Sequence, residues 1–143
     1  MIRKPFEQEL FDEFDAPAKQ AIAKHIESVS DVVVVPNPDQ YGIDLLITKD
    51  DKVLGSAEVE VRQWYECGFK TIHVLQRKQK YFGERALFFA LSKDLKNAHW
   101  IETLKIDKHP LIEVSNYKVA NGELFFDVPI GEFVRIELEE TDA

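Results

Sequence analysis

With only one cysteine, Cys67, the chain cannot form an internal disulfide or a cysteine-based zinc site, which suits a reducing cytosol. His73, His99 and His109 show no ligand spacing, and His25 reads as a helix-face residue, so no histidine metal centre is expected. There is no internal repeat, no phosphate-binding glycine loop, no dinucleotide glycine pattern and no nucleophile elbow, which removes the commonest nucleotide-binding and acyl-transfer chemistries. No window is apolar for long enough to span a bilayer. The start, Met1-Ile2-Arg3-Lys4-Pro5 with Glu7 and Glu9, lacks the apolar segment of a signal peptide. The expectation is a cytoplasmic protein with no membrane partner.

What is present fits one domain. The chain has 143 residues, 45% of them hydrophobic, enough for one packed core and too few to presume two. The net charge of -8 argues against a polyanionic partner until its distribution is read. Residues 1–61 hold 6 Lys and Arg against 13 Asp and Glu, residues 62–108 hold 10 against 5, and residues 109–143 hold 2 against 8. The middle third is basic and both ends are acidic. Charges on the surface are screened beyond about 8 Å at physiological salt, so a local basic face still attracts phosphates.

Along the chain, Pro5 to Phe14 mixes acids with Phe6, Leu10, Phe11 and Phe14 and reads as a short packing segment. Asp15 before Ala16-Pro17-Ala18 predicts a helix N-cap. The helix should run to about Val29, burying Ala18, Ala21, Ile22, His25, Ile26 and Val29. Asp31 to Val35 predicts a strand, stopped by Pro36-Asn37-Pro38-Asp39. Thr71 to Val74 reads as a short strand, and Leu75 to Glu84 as a basic helix or helical turn with Arg77 and Tyr81 on one face. Ala86 to Leu91 is a continuous apolar run, as in a strand buried on both faces. From Leu111 the pattern predicts an antiparallel meander: Ile112 to Val119, a turn at Ala120-Asn121-Gly122, Glu123 to Val128, and Phe133 to Leu138.

The most informative stretch is Tyr41 to Arg62. Ile43 to Thr48 and Val53 to Val61 flank the charged Lys49-Asp50-Asp51-Lys52, which predicts a β-hairpin with a four-residue loop. Asp44, Glu58 and Glu60 lie within its apolar segments. A carboxylate inside such a strand costs several kcal/mol unless it is paired or binds a metal. Alternation puts Glu58 and Glu60 on one side and Val59 and Val61 on the other, and the hairpin can bring Asp44 beside them. Three carboxylates converging without an interleaved cation call for a divalent ion, and an all-oxygen set selects Mg²⁺ or Mn²⁺. An ordinary hairpin with its acids on the wet face explains the same spacing equally well.

Asp44, thirteen intervening residues and then Glu58-Val59-Glu60 closely resemble the core of the PD-(D/E)XK nuclease superfamily. The resemblance extends, over roughly residues 16 to 92, to the order of elements: a leading helix, paired strands, a basic segment and a further apolar strand. Ile43 stands where the family often has proline, and Glu60 where it usually has lysine; acid-x-acid variants occur among its restriction endonucleases. The resemblance implies an α/β restriction endonuclease-like domain, a mixed sheet flanked by helices and extended here by the C-terminal meander. It implies hydrolysis of DNA phosphodiester bonds with Mg²⁺ or Mn²⁺ held by Asp44, Glu58 and the Val59 carbonyl. Glu60 would position the attacking water and Lys78 or Arg77 would steady the phosphate. Arg62, Arg77, Lys78, Lys80 and Tyr81 would contact DNA, and members that cut both strands often act as homodimers. Glu13 and Glu27 are further acids that such a leading helix could bring near the metal.

Alternatives remain at four points. Asp39 is a rival first acid, because Pro38-Asp39 spells the family signature, but it lies in a turn. Gly42 would let the chain bend close to a substrate backbone. Arg62 serves either as the missing lysine's cation or as an ion-pair partner of Glu60 or Glu58, and Trp64 and Tyr65 either stack on bases or pack at the rim. The rival to the enzyme is a nuclease-like fold without activity, serving as a nucleic-acid-binding or assembly subunit.

Overall fold

The computed structural model describes residues 17–39, 41–116 and 119–138. The Pro5–Phe14 segment, the Asp15 cap and Glu13 lie outside them. The described chain is α/β: a six-stranded mixed sheet with one α-helix on one face and a three-stranded antiparallel sheet on the other.

Helix α1 spans Pro17–Val29, with proline at the first position where its missing N–H costs nothing. Its buried residues are Ala21, Ile22, Ala23 and Ile26. Val29, expected inside, is 68% exposed, and Ala23 takes its place in the apolar stripe. The helix packs on Val34, Leu45, Ala57, Phe89 and Leu91. The chain then turns tightly, with Ser30 N–H donating to the Ile26 carbonyl and Val32 N–H to the Ser30 carbonyl. That turn uses up Asp31 and Val32, so strand β1 spans Val33–Pro36 rather than starting at Asp31. It is an edge strand, which is where proline is tolerated.

Strands β2 (Leu45–Lys49) and β3 (Lys52–Val61) form the expected hairpin. Its loop has two residues, not four: Lys49 pairs with Lys52 across Asp50 and Asp51, which have φ of 51° and 64°. Two successive left-handed residues make the turn whose twist matches the strands, and aspartate tolerates that conformation. The register shifts between Ile47 and Thr48, and Gly55 lies beside the shift. A Cβ at Gly55 would stand 2.7 Å from the Arg85 carbonyl oxygen, so only glycine lets β3 close onto the next strand there.

That next strand, β5 (Ala86–Leu91), runs parallel to β3 and pairs on its other side with β6 (Asn97–Glu102). As the apolar run predicts, it is covered on both faces: Phe89 and Leu91 toward α1, Phe88 and Ala90 toward the second sheet. The crossover from β3 to β5 contains β4 (Thr71–Leu75) and a 3₁₀ helix, Gln76–Tyr81, so of the helix or helical turn expected there the chain forms the shorter and tighter one. In a 3₁₀ helix residues three apart share a face, so Lys78 rather than Arg77 lies with Tyr81.

The expected C-terminal meander is divided between two sheets. Strands β7 (Leu111–Asn116) and β8 (Val119–Pro129) pair with each other, and β8 pairs with β4. Strand β9 (Val134–Glu137) instead returns to the main sheet beside β6. The residues expected to turn, 120–122, belong to β8, and the connection at 117–118 lies outside the described residues. The second sheet contributes Ile72, Val74, Phe126 and Val128 to a core with Phe88, Ala90 and Ile101. Splitting the meander buries both faces of β5, which a single C-terminal sheet beside β6 would leave half covered.

Gly55→Ala should lower the unfolding free energy by on the order of 2 kcal/mol, because the obstructing atom belongs to the backbone. Gly131→Ala, where an added Cβ meets nothing within 4 Å, should stay within about 0.5 kcal/mol of wild type. Urea unfolding of both variants checks this; equal losses would contradict the close approach.

Candidate functional site

The site forms where β2 ends and β3 continues. Leu45 pairs with Ala57, so Asp44, one residue before β2, stands opposite Glu58. Asp44 was expected inside a strand and sits at its lip instead. Side-chain bonds replace the ladder there: the Asp44 N–H donates to Glu58 Oε1 at 3.3 Å, and the Val59 N–H donates to Asp44 Oδ2 at 2.8 Å. The backbone of Ser56 and Arg62 faces β5, bonding to Arg85 and Leu91. By strand alternation the Val59 N–H and carbonyl both face the other edge, toward Asp44. Two carboxylates and one carbonyl therefore share an edge that no strand among the described residues covers.

Glu58 and Glu60 pair in register with Phe88 and Ala90, which places them on the face covered by the second sheet. Glu58 is only 4% exposed. The side chain that meets it is Lys78, whose ammonium donates to Glu58 Oε2. The 3₁₀ helix that carries Lys78 is tied down by Tyr81, whose hydroxyl donates to the Tyr41 carbonyl at 3.2 Å. The ammonium groups of Lys78 and Lys80 lie 5.8 and 5.1 Å from the Tyr81 ring centre. Tyr81 thus docks this helix on the loop before Asp44 and braces both lysines.

Each of the three acids has its own cation. Lys19 Nζ lies 3.2 Å from Asp44 Oδ1, Lys78 holds Glu58, and Arg62 Nε lies 2.8 Å from Glu60 Oε1. The Arg62 Nε–H is not directed at that oxygen, so the last contact is one of charges rather than a hydrogen bond. The guanidinium also donates to the His73 carbonyl. Of the two roles open to Arg62, the ion pair with Glu60 is the one observed. Interleaved cations therefore offset the cost of burying these acids, and among the described residues no group of three or more acidic, histidine or cysteine side chains is placed to hold a metal.

Lys19 was not foreseen. Its signal is in the sequence, since it precedes Ile22, Ala23 and Ile26 by three, four and seven positions and so lies on the buried side of α1. The rival Asp39 is occupied by its turn: its Oδ1 accepts from Tyr41 N–H and its carbonyl from Gly42 N–H, both at 3.0 Å. Gly42 serves the same turn, because a Cβ there would meet Asn37 Nδ2 at 2.5 Å. Glu27 bonds the Val34 N–H at 2.8 Å, at the edge strand rather than beside Asp44. Arg77 is exposed and lies 3.9 Å from Glu123, while the Lys80 ammonium stays over Tyr81.

Burial pushes the Glu58 carboxyl up to about 7, with Lys78 opposing that rise and the nearby Asp44 adding to it. For Lys78, burial alone would lower the ammonium, but the hydrogen bond and charge of Glu58, with the charges of Glu60 and Asp44, outweigh it and raise the group. Lys78 is therefore a fixed cation at neutral pH, while Glu58 titrates there.

A carboxyl held above its ordinary 4.5 by folding stabilises the folded state at low pH and loses that contribution as pH rises to about 7. Glu58→Gln cannot ionise. Its stability minus that of wild type should grow between about pH 4.5 and 7, by on the order of 3 kcal/mol, then level off. Denaturant unfolding across that range measures it; a difference that shrinks with pH would contradict the raised carboxyl.

No protein-family model, no curated protein and no solved structure matches this chain.

Proposed function

We propose that the chain is a nuclease of restriction endonuclease-like type that hydrolyses DNA phosphodiester bonds with Mg²⁺ or Mn²⁺ at the Asp44–Glu58 edge. The observation that carries this reading is Lys78. An acid before β2, an acid in β3 and a lysine against the second acid form the set expected of a PD-(D/E)XK site, except that the lysine comes from the crossover instead of two residues after Glu58. Glu60 at that position therefore does not leave the site without its cation.

Asp44, Glu58 and the Val59 carbonyl suit magnesium, which takes oxygen ligands and commonly only one or two protein carboxylates, completing its shell with water and substrate phosphate. When bound, the ion would supply an activated water and offset charge on the phosphate. Lys78, held protonated by Glu58, would donate to the phosphate oxygen on which charge develops. Lys19 would be displaced from Asp44 toward solvent, since its side chain is already one-third exposed. Glu60 is not a ligand in this reading: Arg62 occupies it, and its charge helps keep Lys78 protonated. Arg77 and Lys80, on the same 3₁₀ helix, would meet the DNA backbone outside the reacting phosphate.

The pairing of every acid with its own cation favours a second reading, an inactive nuclease-like fold that binds nucleic acid or an assembly partner. Plasmid and single-strand cleavage with Mn²⁺ separates the two. The enzyme reading expects cleavage by wild type, loss in Asp44→Ala and Glu58→Ala, and a fall of about 10²–10³ in Lys78→Ala. Mn²⁺ should also raise the melting temperature of wild type but not of Asp44→Ala, since a ligand of the folded state stabilises it. Folded protein showing neither cleavage nor a metal-dependent shift would favour the inactive fold.

A further inference from the structure

After β3 the chain runs through Arg62-Gln63-Trp64-Tyr65-Glu66-Cys67-Gly68-Phe69-Lys70 before entering β4. This loop encloses a cleft of about 350 Å³ lined by Arg62, Gln63, Trp64, Phe69, Thr71 and His73 among others. Its aromatic rings are unevenly buried. Trp64 packs on the second core and sets its edge against the His99 ring, with centroids 5.7 Å apart and planes at 86°. Burial lowers the affinity of His99 for a proton, so Trp64 rests on a neutral ring. Phe69 and Tyr65, by contrast, are 68% and 63% exposed. The cleft is thus lined by one indole held against the core and one largely exposed phenyl ring, two aromatic surfaces on which a planar ligand can stack.

The polar surroundings point to the same ligand. Lys93 lies with its ammonium 5.9 Å from the Tyr65 ring centre and its N–H on the Trp64 carbonyl, and Lys70 adjoins Phe69. Glu66, the acid in the loop, is neutralised by two bonds from Arg135, at 2.6 and 3.1 Å. Arg62 lines the cleft and contacts Glu60 at 2.8 Å, and Glu60 follows Glu58 by two on the same strand face, so one ion pair links the cleft to the candidate site. Arg62, one residue past the end of β3, lies four positions after Glu58, about 13 Å of extended chain, or the reach of a few nucleotides.

We propose that this cleft takes an unpaired nucleobase, stacked between Trp64 and Phe69, and that the substrate strand of the proposed nuclease site is therefore single-stranded DNA. Aromatic faces interleaved with basic side chains bind single strands because every base has a π-face, whereas a paired base is already stacked in its duplex. Gln63 and Thr71 offer amide and hydroxyl groups to a base edge. The proposal rests on the nuclease reading for the identity of the strand, but the cleft can be tested without catalysis.

The test uses Asp44→Asn protein without metal, so that nothing is cleaved, and follows tryptophan fluorescence as a short oligothymidylate or a duplex of equal length is added. The single strand should quench the emission and bind at least about tenfold more tightly than the duplex, with affinity falling as salt rises. Phe69→Ala removes a largely exposed ring and should leave the melting temperature unchanged while weakening single-strand binding by about tenfold or more. Duplex binding as tight as single-strand binding, or a Phe69→Ala protein that binds normally, would overturn the proposal. Absence of cleavage by the wild-type protein would bear on the nuclease site and leave this measurement as it stands.

Discussion

A carboxylate buried between two sheets governs the centre of this protein. Glu58 lies in the middle of the main sheet, on the face that the second sheet covers, where an unpaired charge would cost several kcal/mol. Its two oxygens are taken by the Asp44 N–H and the Lys78 ammonium. The first bond fixes how β2 begins and the second fixes where the crossover lies. The loop before β2 and the 3₁₀ helix after β4 are then joined to each other by Tyr81 and Tyr41. Glu58 thus links all three segments through its two oxygens, and the candidate site shares its contacts with the fold.

The same arrangement sets the chemistry available. Three acids and three cations alternate along one end of β3, so the site is close to neutral as a whole and strongly polar within. Such a site suits a ligand that carries both signs, a divalent ion together with a phosphate, better than either alone. It also explains how an acidic chain can be proposed to act on DNA. Six of the ten basic residues in 62–108 belong to the crossover between β3 and β5, and the fold brings two of them, Arg62 and Lys78, onto Glu60 and Glu58.

The crossover also shows where local patterns stop being informative. Residues 75–84 have helical spacing in the sequence, yet the chain forms only a 3₁₀ helix there. Lys78 is held by Glu58 and Tyr81 is tied to Tyr41, and these tertiary bonds outweigh a modest helical preference in a short segment. The C-terminal strands are a second instance. Alternation identified them as strands, but alternation contains no information about which sheet a strand joins, and β9 parted from β7 and β8.

By itself the sequence determined the α/β class, the leading helix, the acid-bearing hairpin and the doubly buried strand at Ala86–Leu91, because each follows from periodicity within a few residues. Alternation likewise put Glu58 and Glu60 on one face and Asp44 beside them. Only the tertiary structure decided what those acids meet. Lys19 and Lys78 reach Asp44 and Glu58 from 25 positions before and 20 after, and Arg62 chose Glu60 over Glu58. Which opposite charge shares a buried space is settled by how elements distant in sequence pack, and spacing along the chain does not carry that information.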